Sequence, residues 1–324
     1  MDRGFISREQ NIIQNNRKHT GRRVYVALIW AALILVASSM DFSLDQDIVS
    51  YQDNILQMDG RENNLGISDV RSKLVFYSVI VMPLYKVFGS IDMALLMMKL
   101  AIVTIFFVIF YLKATDLREL MMFSALLLIV PTFVEHYQEY LRQGLAFAFL
   151  FWGMLLKRLA PKFFLIFFSL ALHLSAILAL LGFIVYRFVN GRLDQVSNAF
   201  VVIFMMVCSI SLGLLIYINP WLGYDIAVID FLSGQRSNIF GYIFVFLYMV
   251  VLAYQLLRSP QPQMFVAFFL ACTFCSLYPN ITDFGRYLSI ISICHFIAIS
   301  GNPKKTMYFD IAGASFLSIV PLLL

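Results

Sequence analysis

The sequence predicts an all-α polytopic membrane protein that forms a single domain over residues 1–324. Hydrophobic residues make up 61% of the chain and charged residues 13%, and the mean hydropathy is +0.82. Soluble domains are about 45–50% apolar and about 25% charged, so this composition argues against a soluble protein. Apolar runs recur along the whole chain, and a bilayer-spanning helix needs about 20 apolar residues.

The first element is a basic tail, residues 1–23, which is followed directly by the apolar run 24–40. Positive charge beside a span is typical of its cytoplasmic side, which favours a cytoplasmic amino terminus over a nucleic-acid-binding arm. The basic segment is long for a signal peptide, so we expect an uncleaved first helix. The basic residues of the tail are Arg3, Arg8, Arg17, Lys18, Arg22 and Arg23.

The next segment, residues 41–73, is predicted to be an external loop. It carries seven acidic residues. The basic tail therefore determines which side faces the cytoplasm, because acidic residues contribute little to orientation. Ile48, Tyr51, Ile55 and Met58 recur at helical spacing within it, which predicts a short helix lying on the membrane surface.

The remaining apolar runs do not all cross the membrane in this prediction. If they did, the basic residues Lys157, Arg158 and Lys162 would face outside, against the tendency of basic loops to stay in the cytoplasm. The runs are 74–88, 91–112, 120–134, 143–156, 163–186, 198–218, 239–257, 263–278, 287–299 and 306–324.

If two of these runs do not span the membrane, the basic loops lie on the cytoplasmic side again. The run 74–88 is short and contains Pro83, and the run 163–186 has basic residues at both ends. We expect the second to enter the membrane, turn near His173-Leu174-Ser175 and return, because broken backbone at membrane depth is tolerated where it lines a cavity. The result is a prediction of about nine spanning helices plus two broken, re-entrant or interfacial segments.

Three arginines on the predicted external face run against the charge rule and are candidates for substrate binding: Arg142, Arg236 and Arg286. Arginine stays charged and offers a planar fork of donors to phosphate or carboxylate. If the three converge, they form a diphosphate site open to the outer leaflet. The alternative is that each one anchors lipid headgroups at the rim.

Candidate general bases lie near the same face. His173 is placed by the charge argument at a re-entrant turn, and imidazole suits proton transfer near neutral pH, phosphate binding, or a purely structural hydrogen bond. Glu135 and Glu139 have the spacing of one helix face and are candidate bases or ligands of sugar hydroxyls, with helix capping as the alternative. Asp283 is a further candidate base. Lys99 suits an ion pair, snorkelling or catalysis.

Other motifs of known chemistry are missing from the sequence. It contains no glycine-rich phosphate loop, zinc signature or G-x-S-x-G element, and we expect neither a metal nor another cofactor, and no nucleic-acid partner. Cys272 and Cys275 have C-x-x-C spacing inside an apolar run, which favours small core residues over redox or metal chemistry.

Several short motifs, in their order and spacing, resemble the EpsG/Wzy-type polysaccharide polymerases of the bacterial inner membrane. Residues 141–146, LRQGLA, look like the R-Q-x-x-A element of that family, and residues 172–176, LHLSA, look like its H-x-S-A element. An acidic, tyrosine-containing loop with Asp47 and Tyr51 follows the first span. Residues 284–287, FGRY, are similar to the family's arginine-aromatic element.

The resemblance implies a GT-C-like glycosyltransferase that polymerises undecaprenyl-diphosphate-linked oligosaccharide repeat units at the periplasmic face. One lipid-linked chain is the donor and the non-reducing-end sugar of another repeat unit is the acceptor. The product is O-antigen, capsule or exopolysaccharide, and a chain-length regulator protein is a possible partner. The implied localisation is the bacterial inner membrane, with the site open to the periplasm.

The resemblance also implies roles for individual residues. Arg142 and Arg286 would hold the diphosphate, and His173 would act as base or as a diphosphate ligand. The further substrate-binding residues would be Arg236, Tyr287, Asp47 and Tyr51, with Glu135, Glu139 and Asp283 as the competing bases.

Two other classes of function fit parts of the pattern. A flippase or transporter of lipid-linked glycans also lines its cavity with arginine, but the sequence shows no internal repeat and its candidate charges lie on one face. A membrane acyltransferase that modifies such glycans also uses a membrane histidine, but it needs access for a cytoplasmic acyl donor.

Overall fold

The computed structural model describes residues 22–40, 52, 75–138, 140–173, 175–192, 198–218, 239–258, 262–276 and 284–300. Within these ranges the regular structure is helical and contains no strand, so the predicted all-α fold is confirmed. The helices are α1 (Arg22–Ser39), a π-helix (Val75–Val81) that continues into α2 (Met82–Phe88), α3 (Ile91–Lys113), α4 (Leu117–Ile129), α5 (Pro131–Gln138), α6 (Leu141–Leu155), α7 (Leu159–Leu172), α8 (Ser175–Arg192), α9 (Asn198–Ile218), α10 (Ile239–Arg258), α11 (Pro262–Ser276) and α12 (Phe284–Ile299).

The helix boundaries follow the apolar runs, because polar residues between the runs cap the helices. The Ser90 side chain accepts from the Met93 N–H at the start of α3, and Asp116 Oδ1 accepts from the Glu119 N–H, 2.8 Å away, at the start of α4. Such caps satisfy donors that the first helical turn leaves open. Gly89 closes α2 with φ 67°, a left-handed conformation that favours glycine.

The predicted interruption of the run 163–186 is present at His173, which is extended (φ −150°, ψ 126°) between α7 and α8. Lys162 Nζ lies 5.7 Å, and Arg187 Cζ 6.0 Å, from the centroid of the Phe183 ring. If α8 continued α7 in a straight line, Lys162 and Phe183 would be ~30 Å apart. The chain therefore turns back at His173 and brings the basic ends of α7 and α8 together.

Two details differ from the sequence prediction. The run 120–134 is not one helix, because α4 ends at Ile129 and Pro131, which has no N–H to donate to the preceding turn, begins α5. Residues 75–88 form one continuous helical segment with no break at Pro83. The irregular helical backbone is confined to the π-helix, which ends just before that proline.

Helices α6 and α7 form an antiparallel hairpin whose register is fixed by two contacts. Ser169 Oγ donates to the Ala146 carbonyl oxygen at 2.7 Å, and a Cβ on Gly153 would lie 3.2 Å from the Leu165 Cβ. We call the end at which α6 begins the mouth end of the bundle. The opposite end, where residues 156–158 join α6 to α7, is called the basic end.

The other helices can be oriented against the same two ends. Lys99 of α3 contacts α5 near the mouth end, and Lys113, ~21 Å further along α3, lies at the basic end. Lys113 Nζ donates to the carbonyl oxygen of Ile297, so α12 finishes at the basic end and begins towards the mouth end. Helix α11 packs against α8, α9, α10 and α12, and its side chains 263–273 are all buried.

The outer surface of this bundle is strongly apolar. Leu35, Ile129, Phe163 and Phe167 are each more than 60% exposed, and similar side chains are exposed on α9 and α10. Exposed apolar side chains on this many helices are unusual for a soluble monomer and favour an interaction or membrane surface. By length and composition, two of the described helices, α1 and α3, suffice to cross a membrane, and several others are apolar but shorter.

Candidate functional site

The candidate site is built on the tight hairpin between α5 and α6. The Tyr140 N–H donates to the Glu135 carbonyl at 2.8 Å, and the Gly144 N–H donates to the Tyr140 carbonyl at 2.7 Å. A Cβ on Gly144 would overlap the carbonyl oxygen of His136 and lie 2.9 Å from its carbonyl carbon. Only glycine therefore allows α6 to pack this closely on α5.

Three polar side chains are enclosed by this hairpin. His136 is fully buried, and its ring packs edge-on against Tyr140 and Phe147, with centroids 6.0 Å and 6.4 Å away. Gln143 is 3% exposed, and the Oε2 atom of Glu135 is also buried. Polar groups buried in an apolar bundle are costly, which makes this cluster a functional candidate.

A buried cation lies close to the same hairpin. Lys99 is 0% exposed, its Nζ donates to the Met40 carbonyl oxygen, and it lies 6.0 Å from the centroid of the Tyr137 ring. The Tyr137 hydroxyl donates to Met40 Sδ at 3.6 Å. Lys99 therefore joins the end of α1 to α3 and α5 and adds a positive charge to the interior near the mouth end.

Arg142 and His173 lie at this same end of the molecule. Arg142 is one helical turn before Ala146, and His173 is one turn after Ser169, the two residues that the hairpin hydrogen bond joins. Because α6 and α7 are antiparallel, one turn back along α6 and one turn forward along α7 reach the same level of the bundle. Both side chains are half-buried, and the His173 backbone is held by its N–H, which donates to Ser169 O, and by its carbonyl, which accepts from Ala176 N.

The structure describes the backbone, but not the side chains, of Arg286 and Tyr287. Both are in the first turn of α12, and Phe296 of that helix stacks near Phe133 of α5, 5.6 Å between centroids. Since α12 ends beside Lys113, its first turn lies towards the mouth end, on the side of Arg142.

The remaining predicted site residues lie outside the described residues, and their roles stay predictions: Glu139, Asp283, Arg236, Asp47 and Tyr51. Helix α5 ends at Gln138, so the shared helix face predicted for Glu135 and Glu139 also stays a prediction. Gln52, the one described residue of the predicted external loop, is helical, and its Nε2 donates to Asp92 Oδ1 at 3.4 Å, near the start of α3.

A second buried polar cluster joins α10 to α12. The Tyr248 hydroxyl lies 2.9 Å from His295 Nδ1 and 3.4 Å from Ser292 Oγ, and His295 Nε2 lies 2.5 Å from Gln255 Oε1. These side chains satisfy one another. The cluster lies in the half of the bundle that contains the basic end, because Gln255 is close to the end of α10 and His295 is close to Ile297.

Three site residues were not assigned from the sequence. His136 and Gln143 stand beside assigned residues, but their burial depends on the close approach that Gly144 allows. Lys99 was left open between structural and catalytic roles, and its position in an apolar run was the only signal. Together with Arg142 they give the mouth end donors and positive charge that suit an anion.

Within the described ranges no three His, Cys, Asp or Glu side chains gather in a way that could hold a metal ion. Comparison with known proteins adds no family to this description. No family model, no curated protein and no solved structure matches the chain.

Proposed function

We propose that this chain is a membrane-embedded glycosyltransferase that extends a polysaccharide from lipid-diphosphate-linked repeat units. The observation that carries the proposal is the register of the α6–α7 hairpin. It brings Arg142 of the LRQGLA segment and His173 of the LHLSA segment to one end of the bundle. A fixed cation and a titratable imidazole at one site are what departure of a diphosphate and activation of a hydroxyl require.

A membrane setting for this site is supported by the apolar outer surface. The proposed arrangement has about nine spanning helices, a re-entrant α7–α8 hairpin and the interfacial segment 75–88. The convergence of Lys162 and Arg187 on the Phe183 ring supports re-entry, because it returns both basic ends to one side. The mouth end then faces the periplasm of a bacterial inner membrane, where flipped repeat units are available.

The proposed reaction is a direct displacement at the anomeric carbon of the donor sugar. An acceptor hydroxyl attacks that carbon, and the bond to the lipid diphosphate breaks with its electron pair on the diphosphate. Arg142, with Arg286, stabilises the negative charge that develops there. His173 accepts the proton of the hydroxyl, with Glu135, Glu139 and Asp283 as the alternative bases.

The proposed substrates are undecaprenyl-diphosphate-linked oligosaccharides, and a chain-length regulator is the proposed partner. Arg236, Tyr287, Asp47 and Tyr51 complete the substrate-binding residues in this proposal. The polymer is an O-antigen, a capsule or an exopolysaccharide, since all three are made from such units.

The test is glycan chain length in cells that lack the gene and carry a plasmid copy of each variant. We expect Arg142→Ala and His173→Ala to lower extension at least about 100-fold, because each removes a group that acts on the transition state. Arg158→Ala is the matched control, since that arginine is exposed at the opposite end of the same hairpin.

The pattern of glycans separates the candidate classes of function. Loss of a polymerase leaves single repeat units on the surface, loss of a flippase leaves none, and loss of an acyltransferase leaves full-length chains. Normal ladders from both mouth-end variants, with the proteins present in the membrane, would refute the proposed site.

The proposed orientation has its own test. Single cysteines placed at positions 158 and 236 are treated with a membrane-impermeant thiol reagent in intact cells. We expect labelling at 236 and none at 158 until the membrane is opened. External labelling at 158 would refute the orientation.

A further inference from the structure

The first turn of α6 is a helix start without a side-chain cap. Its N-cap residue is Tyr140 (φ −95°, ψ 50°), which makes no capping hydrogen bond. Helices α2 and α7 also begin without a side-chain cap, whereas Ser90 and Asp116 cap α3 and α4. The N–H groups of the first turn have no acceptor within a helix, and they carry the positive end of the helix dipole. In α6 these groups belong to Leu141, Arg142 and Gln143.

Gln143 supplies a second, independent indication of a ligand at this turn. It is 3% exposed, and its Nε2 is buried with no hydrogen-bond partner among the described residues. It occupies the third position of the helix, from which side chains reach back towards the N-cap. Buried donors in native structures are almost always satisfied, so an unsatisfied one at this position requires an explanation.

The charges around this turn favour an oxyanion as the missing acceptor. Arg142 lies in the same turn and contributes a guanidinium, which pairs well with phosphate. Glu135 on the neighbouring helix is the acidic residue of this hairpin within the described ranges, and Glu139 is a second one that lies outside them. Carboxylates limit the net positive charge without supplying a donor. Backbone N–H groups, an amide N–H and an arginine are together the usual ligands of a phosphate at a helix start.

We propose that the first turn of α6 binds one phosphate of the substrate, with Gln143 Nε2 donating a hydrogen bond to a phosphate oxygen. The inference rests on the proposed function, because it takes this phosphate to be part of the lipid diphosphate. It assigns to Gln143 a ligand that would otherwise be attributed to Arg142 and Arg286 alone. Gly144 belongs to the same site, because it brings the turn against His136.

The test measures binding to the purified full-length chain in detergent by calorimetry. The probes are farnesyl diphosphate, inorganic pyrophosphate and farnesol, which separate the lipid-linked diphosphate from the free anion and from the apolar tail. We expect Gln143→Met to weaken farnesyl diphosphate binding by about tenfold, the effect of one hydrogen bond to a charged acceptor. Tighter binding of farnesyl diphosphate than of pyrophosphate identifies the lipid form as the ligand.

Thermal unfolding of the ligand-free protein distinguishes a ligand from a structural role. If Gln143 serves the substrate, Gln143→Met removes an unsatisfied buried donor, so the melting temperature stays the same or rises. If Gln143 is structural, the melting temperature falls and the affinity of the folded fraction is unchanged, which overturns the proposal. The matched control is Gln263→Met, which alters an equally buried glutamine in the first turn of α11.

A second variant tests the proposal in case Gln143→Met does not fold. Gln143→Glu keeps the size of the side chain and replaces the donor by a negative charge, so we expect it to weaken diphosphate binding more than Gln143→Met does. Equal affinities for wild type and both variants would overturn the proposal.

The failure of this inference can be told apart from failure of the proposed function. If Arg142→Ala abolishes chain extension while Gln143→Met binds diphosphate and extends chains like wild type, the polymerase stands and the role of Gln143 is wrong. If wild type binds the diphosphate through Gln143 but extends no chains, the phosphate site stands and the polymerase is wrong. If wild type binds none of the three probes, the phosphate site is wrong.

Discussion

The two ends of the bundle hold their polar groups in different ways. At the basic end Lys113 donates to the last turn of α12, and Glu119 accepts from the N–H and the hydroxyl of Thr115. Arg258 lies 4.3 Å from the centroid of the Tyr254 ring. These three charged groups close a helix end or rest on a ring, which is the usual way in which structural charges are accommodated.

At the mouth end Ser90 caps α3, but a further set of polar groups is enclosed. Lys99 and His136 have no exposed surface, and Gln143 keeps a donor without an acceptor among the described residues. Extended backbone at His173 interrupts a helix at the same end. An arrangement that leaves donors open is unfavourable for folding alone, so this difference between the ends supports the mouth end as the proposed ligand site.

Among the substitutions that test this difference between the two ends, Gly144→Ala should have the largest effect on stability and chain extension. A Cβ there meets backbone, which cannot move aside, so we expect Gly144→Ala to lower the free energy of unfolding by about 3 kcal/mol or more and to abolish chain extension. A Cβ on Gly153 would lie 3.2 Å from side chains of α7 and 3.3 Å from the Lys162 carbonyl oxygen, a much looser contact, so Gly153→Ala should lose about 1 kcal/mol. Thermal unfolding in detergent and the amount of protein in the membrane measure both, and equal losses would contradict the hairpin geometry.

Lys99, which is buried, and Lys113, which is half-buried, provide the next comparison. Both donate to a main-chain carbonyl, so we expect Lys99→Met and Lys113→Met each to lower the free energy of unfolding by about 2 kcal/mol. Only Lys99 adds charge near the mouth end, so Lys99→Met should also lower chain extension per folded molecule about tenfold. Equal extension by the two variants, normalised to membrane protein, would show that Lys99 is structural.

The smallest effect is expected at the polar cluster between α10 and α12. Tyr248→Phe removes the hydroxyl that bonds His295 and Ser292, and we expect a loss of about 1 kcal/mol in the free energy of unfolding. Chain extension should stay at the wild-type level, because this cluster lies in the half of the bundle that contains the basic end. A ladder shortened by this substitution would place a functional group outside the mouth end.

Much of the fold was predictable because hydropathy and charge are local signals. Most apolar runs within the described residues coincide with helices to within a few residues, and the run 306–324 lies outside the described residues. The basic residues on both sides of 163–186 indicated the turn at His173. The division at Val130–Pro131 was missed, although proline was visible, because the apolar run continues across it. The π-helix before Pro83 leaves no compositional mark at all.

The site was predictable only in part, because burial depends on packing between distant segments. Arg142 and His173 stood out as charged or titratable groups in apolar surroundings. Gln143 looked like a neutral neighbour of Arg142, and its enclosure follows from the contact between Gly144 and His136. The position of Lys99 depends on Met40, which lies just after the end of α1. Such contacts are not encoded in any single stretch of sequence.

The hairpin formed by α7 and α8 has a consequence for how the chain is made. On the proposed arrangement, the insertion machinery would retain Lys162 and Arg187 on the side where synthesis takes place, and no hydrophilic loop of this hairpin would have to be carried across. The main-chain N–H and carbonyl of the extended His173 enter the bilayer already bonded to Ser169 and Ala176, since lipid could not satisfy them. Helix α6 is synthesised just before α7, and its Ala146 carbonyl oxygen accepts the hydrogen bond of Ser169. The α7–α8 hairpin can therefore pack on α6 before the turn at His173 is exposed to lipid.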